Sequence, residues 1–183
     1  MKIRKDVVVS ILVLTFICFF VSGVLAGLNN ITYPVIARGA AQRTYEARKA
    51  IIPSADYFEQ LDIANLRASG LPESISEVYR AANDTGYIFT ISVRGFGGNM
   101  TLLCGVDMDG RIIKAIVLSH SETISFFNRV FNERHRDLYW GRNKNEIENI
   151  DAVSGATITS NALRNIMRYA LTGFEFVRGN VYE

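Results

Sequence analysis

Cysteine and histidine are scarce in this sequence, with two of each among 183 residues. Cys18 stands inside an apolar run near the N-terminus and Cys104 inside a predicted strand, so a disulfide between them is not expected. His120 and His135 are too few for a dedicated metal cage, which takes three or four clustered ligands, and no Cys or His spacing suits one. Net charge is nearly absent too. The formal balance of +2 comes from the first six residues, where Lys2, Arg4 and Lys5 outweigh Asp6, leaving 17 basic and 17 acidic side chains in the rest. A neutral body with scattered charge lacks the footprint of a nucleic-acid-binding protein. The phosphate-cradling GxxxxGK[ST] loop and the dinucleotide-binding GxGxxG turn are both missing. There is no internal repeat and no low-complexity tract.

What is present begins with a long apolar run. Residues 7–28, VVVSILVLTFICFFVSGVLAGL, hold no charge. As a helix, that length at ~1.5 Å per residue spans roughly 33 Å, the thickness of a bilayer core. The basic cluster just before it places the N-terminus in the cytoplasm and the body outside. A cleaved signal peptide is the competing reading, with "VLAG" as a cleavage site after Ala26. The run is longer than the ~7–15 residues of a signal core, which favours a retained anchor.

Beyond the anchor, residues 31–52 are rich in Ala, Arg and Gln with apolar residues at helical spacing. Pro34 is placed to start this helix and Pro53 to end it. It reads either as a stalk or as a helix packed on the domain. YFEQLDI and SISEVYRAAN suggest short elements joined by the turn at Gly70–Pro72. Three strands follow, at Tyr87–Val93, Thr101–Asp107 and Arg111–Ser119, separated by GFGG (95–98) and by the tight-turn signal DMDG (107–110). They most simply form an antiparallel meander. Residues 122–136 read as a helix with an apolar stripe of Phe126, Phe127, Val130 and Phe131, and a last helix is expected to end near Leu171 with Gly173 as its cap. The expected fold is α+β: one N-terminal transmembrane helix, then an extracytoplasmic domain with a mostly antiparallel sheet packed by helices.

That last helix opens with DAVSGATITSNAL, residues 151–163. Thr159 or Ser160 suits an N-cap, with a side-chain oxygen accepting a free backbone N–H, and Gly155 permits an unusual backbone. The same features suit a phosphate. Free N–H groups and the positive end of the helix dipole favour an anion, and small residues let a bulky group come close.

Asp151, Ser154, Gly155, Ala156 and Thr157, as D-x-x-S-G-A-T, resemble the flavinylation motif of the FMN-binding domain family. Five fixed residues at fixed spacing arise by chance in well under about one chain in a thousand at average composition. The family includes the G subunit of the Rnf ion-translocating electron transport complex and the C subunit of the sodium-pumping NADH:quinone reductase. The resemblance extends to Gly95, Phe96, Gly97 and Gly98, to Asp107, Asp109, Gly110 and Ile112, to His120, Glu122 and Thr123, and to TYPVIARGAAQ after the anchor. The short chain resembles the Rnf protein more than the longer reductase one.

The resemblance implies FMN joined covalently through its phosphate to Thr157. It makes Asp151, Ser154, Gly155, Ala156 and Thr157 the recognition motif for an ApbE-type flavin transferase. It places Ser154, Gly155, Ala156, Thr159 and Ser160 around the phosphate, and Glu122, Thr123, Gly97 and Gly98 near the flavin. The sequence departs from the family pattern E-T-P-G-L-G, which here reads Glu122, Thr123, Ile124, Ser125, Phe126, Phe127. Losing the proline and both glycines removes a special turn and adds bulk. The implied domain plan is a cytoplasmic N-terminus at 1–6, a transmembrane helix at 7–28, a stalk and first part of the soluble domain at 29–83, and the FMN-binding domain at 84–183. The implied function is that of a membrane-anchored flavoprotein relaying electrons in a translocase of the Rnf type. Its partners are membrane and iron–sulfur subunits, and its place is the cell membrane of a bacterium or archaeon, with the domain facing out. It is not a complete catalyst alone, and metal is not expected. The alternatives are a stand-alone extracytoplasmic covalent flavoprotein, or an anchored binding protein with no redox role.

Overall fold

The computed structural model describes residues 5–181, so Lys2 and Arg4, on which the orientation argument draws, lie outside the described residues. The chain divides into two compact units, one up to Thr44 and one from Tyr45. Helix α1, Lys5–Ile51, has 47 residues, a length of roughly 70 Å at the usual rise. It is long and apolar enough to cross a membrane. Its large apolar side chains between Val7 and Leu28 stand exposed, from Val8 at 41% to Phe19 at 80%. The expected second helix start at Pro34 is not there. α1 runs unbroken past that residue, because helix-forming sequence on both sides outweighs the single backbone donor that a proline removes. Pro53 does follow the helix end.

The second unit is built on a five-stranded sheet, β1 (Phe58–Gln60), β2 (Ile75–Ala81), β3 (Gly86–Arg94), β4 (Asn99–Asp107) and β5 (Ile112–His120), in sequence order and antiparallel throughout. The expected three-strand meander is β3 to β5, and two shorter strands extend it. β3 is apolar along most of its length because both its faces are covered. Tyr87, Phe89 and Ile91 enter one core cluster, whereas Ile88 enters a second with Ile51, Ile52 and Leu103. The β4–β5 turn is set by Asp107, whose Oδ1 accepts from the N–H groups of Asp109 (3.0 Å) and Arg111 (2.8 Å).

Helix α6, Thr157–Val181, covers the first face with Leu163, Ile166, Met167, Ala170 and Phe174. It runs ten residues past the expected end at Leu171, and Gly173 is not its cap. A side chain at 173 would begin 2.7 Å from Ile75 Cδ1 and 3.0 Å from Phe89 Cε1, so the glycine lets the helix lie close on the sheet. Four short helices complete the unit: α2 (Ile63–Ala68), α3 (Ile124–Val130), α4 (Glu133–Arg136) and α5 (Lys144–Ile147), with a 3₁₀ turn at Asp137–Tyr139. The helix expected over 122–136 is therefore two, broken where the Asn132 side chain accepts from the His135 N–H (3.0 Å) and starts α4.

His135 is buried, with its ring edge-on to Tyr139 at 5.8 Å. Burial first, and the positive charge of Arg164 second, hold its imidazole below the ordinary histidine range, so the fold favours the neutral ring. The unfolded chain binds this proton near pH 6.5, so it holds more protons than the folded state below that pH. Stability contributed by neutral His135 is therefore present above about pH 6.5 and lost as the pH falls toward the lower folded value. Denaturant titrations of the full chain in detergent at about pH 7.5 and stepwise to lower pH are expected to show this decline, with a shallower slope in His135→Gln. Equal slopes would remove His135 as its cause.

Candidate functional site

The site forms where three segments meet: the glycine run after β3, the turn between β5 and α3, and the start of α6. Glu122 joins them. The residue is 5% exposed. Of its carboxylate, Oε1 accepts from the Phe96 N–H (2.6 Å) and from the Thr159 hydroxyl (3.2 Å), and Oε2 accepts from the Gly97 N–H (2.9 Å). One carboxylate thus ties the glycine loop to the first turn of α6. The loop is closed by a bond from the Gly95 N–H to the Gly98 carbonyl (2.8 Å). Gly97 and Gly98 lie against the Ser121–Thr123 backbone: a side chain at 97 would start 2.8 Å from Thr123 N, and one at 98 would start 2.6 Å from Ser121 Cβ. Their smallness serves close packing of the two segments.

The S-G-A-T stretch makes a tight turn and then the helix. The Ala156 N–H donates to the Val153 carbonyl (2.9 Å), with Gly155 at φ +73° between them. A turn of this kind needs a positive φ at its third residue, which glycine adopts without strain. α6 starts at Thr157, and Ser160 makes its first helical bond, to the Ala156 carbonyl (2.9 Å). Thr159 and Ser160 are therefore not caps. Both are buried inside the first turn. Thr159 donates to Glu122, and the Ser160 hydroxyl accepts from the Val153 N–H (3.0 Å), holding the preceding turn against the helix. Among the described residues, no hydrogen bond occupies the N–H groups of Thr157, Ile158 and Thr159. These are the unsatisfied donors every helix start presents. Thr157 and Ser154 are exposed, as is Asp151 at the head of the motif.

Beside this helix start lies a hollow of about 240 Å³ lined by Phe96, Phe126, Gly155, Ala156, Thr157, Ile158 and Thr159. Phe96 and Phe126 meet edge to face, with ring centroids 5.0 Å apart at 85°, a geometry aromatic rings prefer. None of the lining side chains is charged. The hollow thus pairs an apolar, aromatic wall with a rim of free amides and one exposed hydroxyl. That combination suits a flat aromatic group carrying a phosphate.

Of the residues expected at the site, the structure brings Gly155, Ala156, Thr157 and Thr159 to the hollow, and sets Glu122, Thr123, Gly97, Gly98 and Ser160 behind it as its framework. Phe96, Phe126 and Ile158 also line the hollow, a position that the sequence reading does not give them. Phe126 packs against the core beside Val130 and Phe131, as expected of the stripe, and also lines the hollow, while its neighbour Phe127 turns away to stack on His120 at 3.7 Å and on Phe131 at 4.4 Å. The available sign for Phe96 is a large aromatic flanked by glycines.

The chain is similar along most of its length to the G subunit of the proton-translocating ferredoxin:NAD(+) oxidoreductase complex of Clostridium ljungdahlii, at 28% identity over 170 residues covering 86% of each chain. It is 27% identical over 175 residues to the G subunit of the Na(+)-translocating ferredoxin:NAD(+) oxidoreductase complex of Acetobacterium woodii, covering 82% of this chain and 84% of that one. Against the G subunit of the ion-translocating oxidoreductase complex of Stutzerimonas stutzeri it is 30% identical over 132 residues, 69% of this chain and 57% of the relative. Residues 95–172 match the FMN-binding domain family. That span takes in the glycine loop, Glu122, the S-G-A-T turn and most of α6.

Proposed function

We propose that this protein is a membrane-anchored flavoprotein subunit of an Rnf-type ion-translocating oxidoreductase, with FMN joined through its phosphate to Thr157 by an ApbE-type transferase. The observation that carries the attachment is the position of Thr157. It is the first residue of α6, exposed, beside free helix amides, and at the edge of an aromatic hollow. Bound FMN supplies reversible electron uptake and release. The protein supplies the rest: α6 amides for the phosphate, Phe96 and Phe126 as an apolar wall, and Glu122 to keep the glycine loop and the helix start in register. The hollow is smaller than the ~300–1,000 Å³ clefts that enclose whole ligands, so part of the flavin stays accessible for electron exchange with neighbouring subunits. α1 anchors the chain, and the positive-inside rule sets the domain outside the cytoplasm.

The test is purification of the tagged chain from its native membrane. The expected result is a flavin-fluorescent polypeptide with the intact mass of the chain plus one FMN less water, accompanied by integral membrane and iron–sulfur subunits. A flavin-bearing chain that purifies alone would replace the complex by a stand-alone electron carrier, and a colourless chain would remove the redox reading.

A further inference from the structure

The hollow beside Thr157 has an apolar wall and no charged side chain in its lining, yet a phosphodiester keeps a full negative charge. Helix amides offset part of it, since the dipole amounts to roughly half an elementary charge at the N-terminus. A cation stands beside the S-G-A-T turn. Arg129 belongs to the last turn of α3, and its Nη1 lies 2.9 Å from where a side chain on Gly155 would begin. The guanidinium thus rests against the bare backbone of the S-G-A-T turn, two residues before Thr157. Among the described residues it has no ion-pair or hydrogen-bond partner, in contrast with Arg80, Arg111, Arg142 and Arg168, each of which has a carboxylate.

α3 delivers it there. Where the family pattern has a proline and two glycines, this chain has Ile124, Ser125 and Phe127, residues that permit a helix starting directly after Thr123. In a helix, side chains three apart share a side. Phe126 reaches the hollow and Arg129 reaches the turn, while buried Val130 fixes the helix below them. The Asn132 side-chain amide donates to the Arg129 carbonyl and ends α3 at this point.

We infer that Arg129 is the phosphate-binding cation of this flavin site, pairing with the phosphodiester at Thr157. The inference rests on the reading given under Proposed function. A planar guanidinium suits a phosphate because it donates two parallel hydrogen bonds, each strengthened by charge.

The experiment compares full-length wild type, Arg129→Gln and Arg129→Lys, each made with and without the flavin transferase and purified in detergent. Intact mass reads loading, thermal denaturation reads the stability gained on loading, and the ³¹P resonance reads the phosphodiester itself. Unloaded Tm is expected to be the same in all three, since an exposed side chain with no partner contributes little. Loading is expected to raise Tm in wild type. That gain should fall by about half or more in Arg129→Gln, with a displaced ³¹P resonance, and should be largely kept in Arg129→Lys. An Arg129→Gln chain that folds but does not load, while Arg129→Lys does, supports the same assignment. Equal loading gain and an unmoved ³¹P resonance in Arg129→Gln would overturn it. A wild-type chain without an adduct at Thr157 would end the attachment reading and this inference with it, which separates the two failures.

Discussion

Replacing Glu122 with alanine is expected to cost the domain about 3–5 kcal/mol and to lower flavin loading with it. The residue is 5% exposed, and its carboxylate accepts three hydrogen bonds, from Phe96 N–H, Gly97 N–H and the Thr159 hydroxyl. Each bond to a charged acceptor contributes roughly 1.5–3 kcal/mol net, and the buried Thr159 hydroxyl left unpaired costs roughly 1–3 kcal/mol more. The terms overlap because relaxation of the glycine loop admits water, so the loss stays below their sum. It remains a large share of the ~5–15 kcal/mol that holds a domain together. Glutamine at 122 keeps the shape but turns an –NH₂ toward an N–H donor, so about half the loss is expected. Denaturant unfolding of the full chain in detergent checks both variants. Glu122→Ala within ~0.5 kcal/mol of wild type would show that the loop is not held through this carboxylate.

Much of the fold is legible in the sequence because its signals are local. Runs of β-branched and aromatic residues between turn signals mark β3, β4 and β5, and the uncharged apolar run marks the membrane-length part of α1. The parts that are not legible depend on what lies across the fold. β1 has a mostly exposed pattern and just three residues, Phe58–Gln60, and it exists because it pairs with β2 at the sheet edge. Gly173 near a helix end reads as a cap in one dimension, whereas in three it marks the contact of α6 with Ile75 and Phe89. Pro34 carries a helix-start signal that an already propagating helix overrides.

The site shows the same division. The S-G-A-T turn and the helix after it are readable as a phosphate-friendly element, and the resemblance supplies the cofactor. The roles of the individual hydroxyls are not readable. A hydroxyl ahead of an apolar helical run looks like a cap whether it bonds the backbone nearby or reaches elsewhere. Thr159 reaches Glu122, 37 positions away, and Ser160 reaches back to Val153. The same holds for Glu122, which the resemblance sets near the flavin. Its carboxylate is taken up by the loop 25 and 26 residues earlier, so it acts through the shape of the hollow. Arg129 gives no sign at all, since one arginine in a short helix is ordinary until Gly155 is found beneath it.

The different surroundings of these hydroxyls make the proposed attachment at Thr157 sharply testable. Of the four hydroxyl residues in the stretch, Thr159 and Ser160 are buried and engaged, which leaves Ser154 and Thr157 exposed. Thr157 alone of these two lies at the start of α6 and lines the hollow. In a host that supplies the transferase, Thr157→Ala is expected to lose all covalent flavin, read as the unmodified intact mass and no fluorescent band in a denaturing gel. Its Tm should match that of the unloaded wild type, because the hydroxyl has no partner among the described residues and alanine is a good helix former. Thr157→Ser keeps a hydroxyl at the same place and is expected to load. Ser154→Ala leaves the acceptor untouched and should load as well. Thr159→Ala removes a hydrogen bond to Glu122, about 1.5–3 kcal/mol for a charged acceptor, and should load into a less stable domain. An adduct that persists in Thr157→Ala and disappears in Ser154→Ala would move the attachment to the turn itself. The free amides of α6 would then serve a phosphate that approaches from the other side of Gly155.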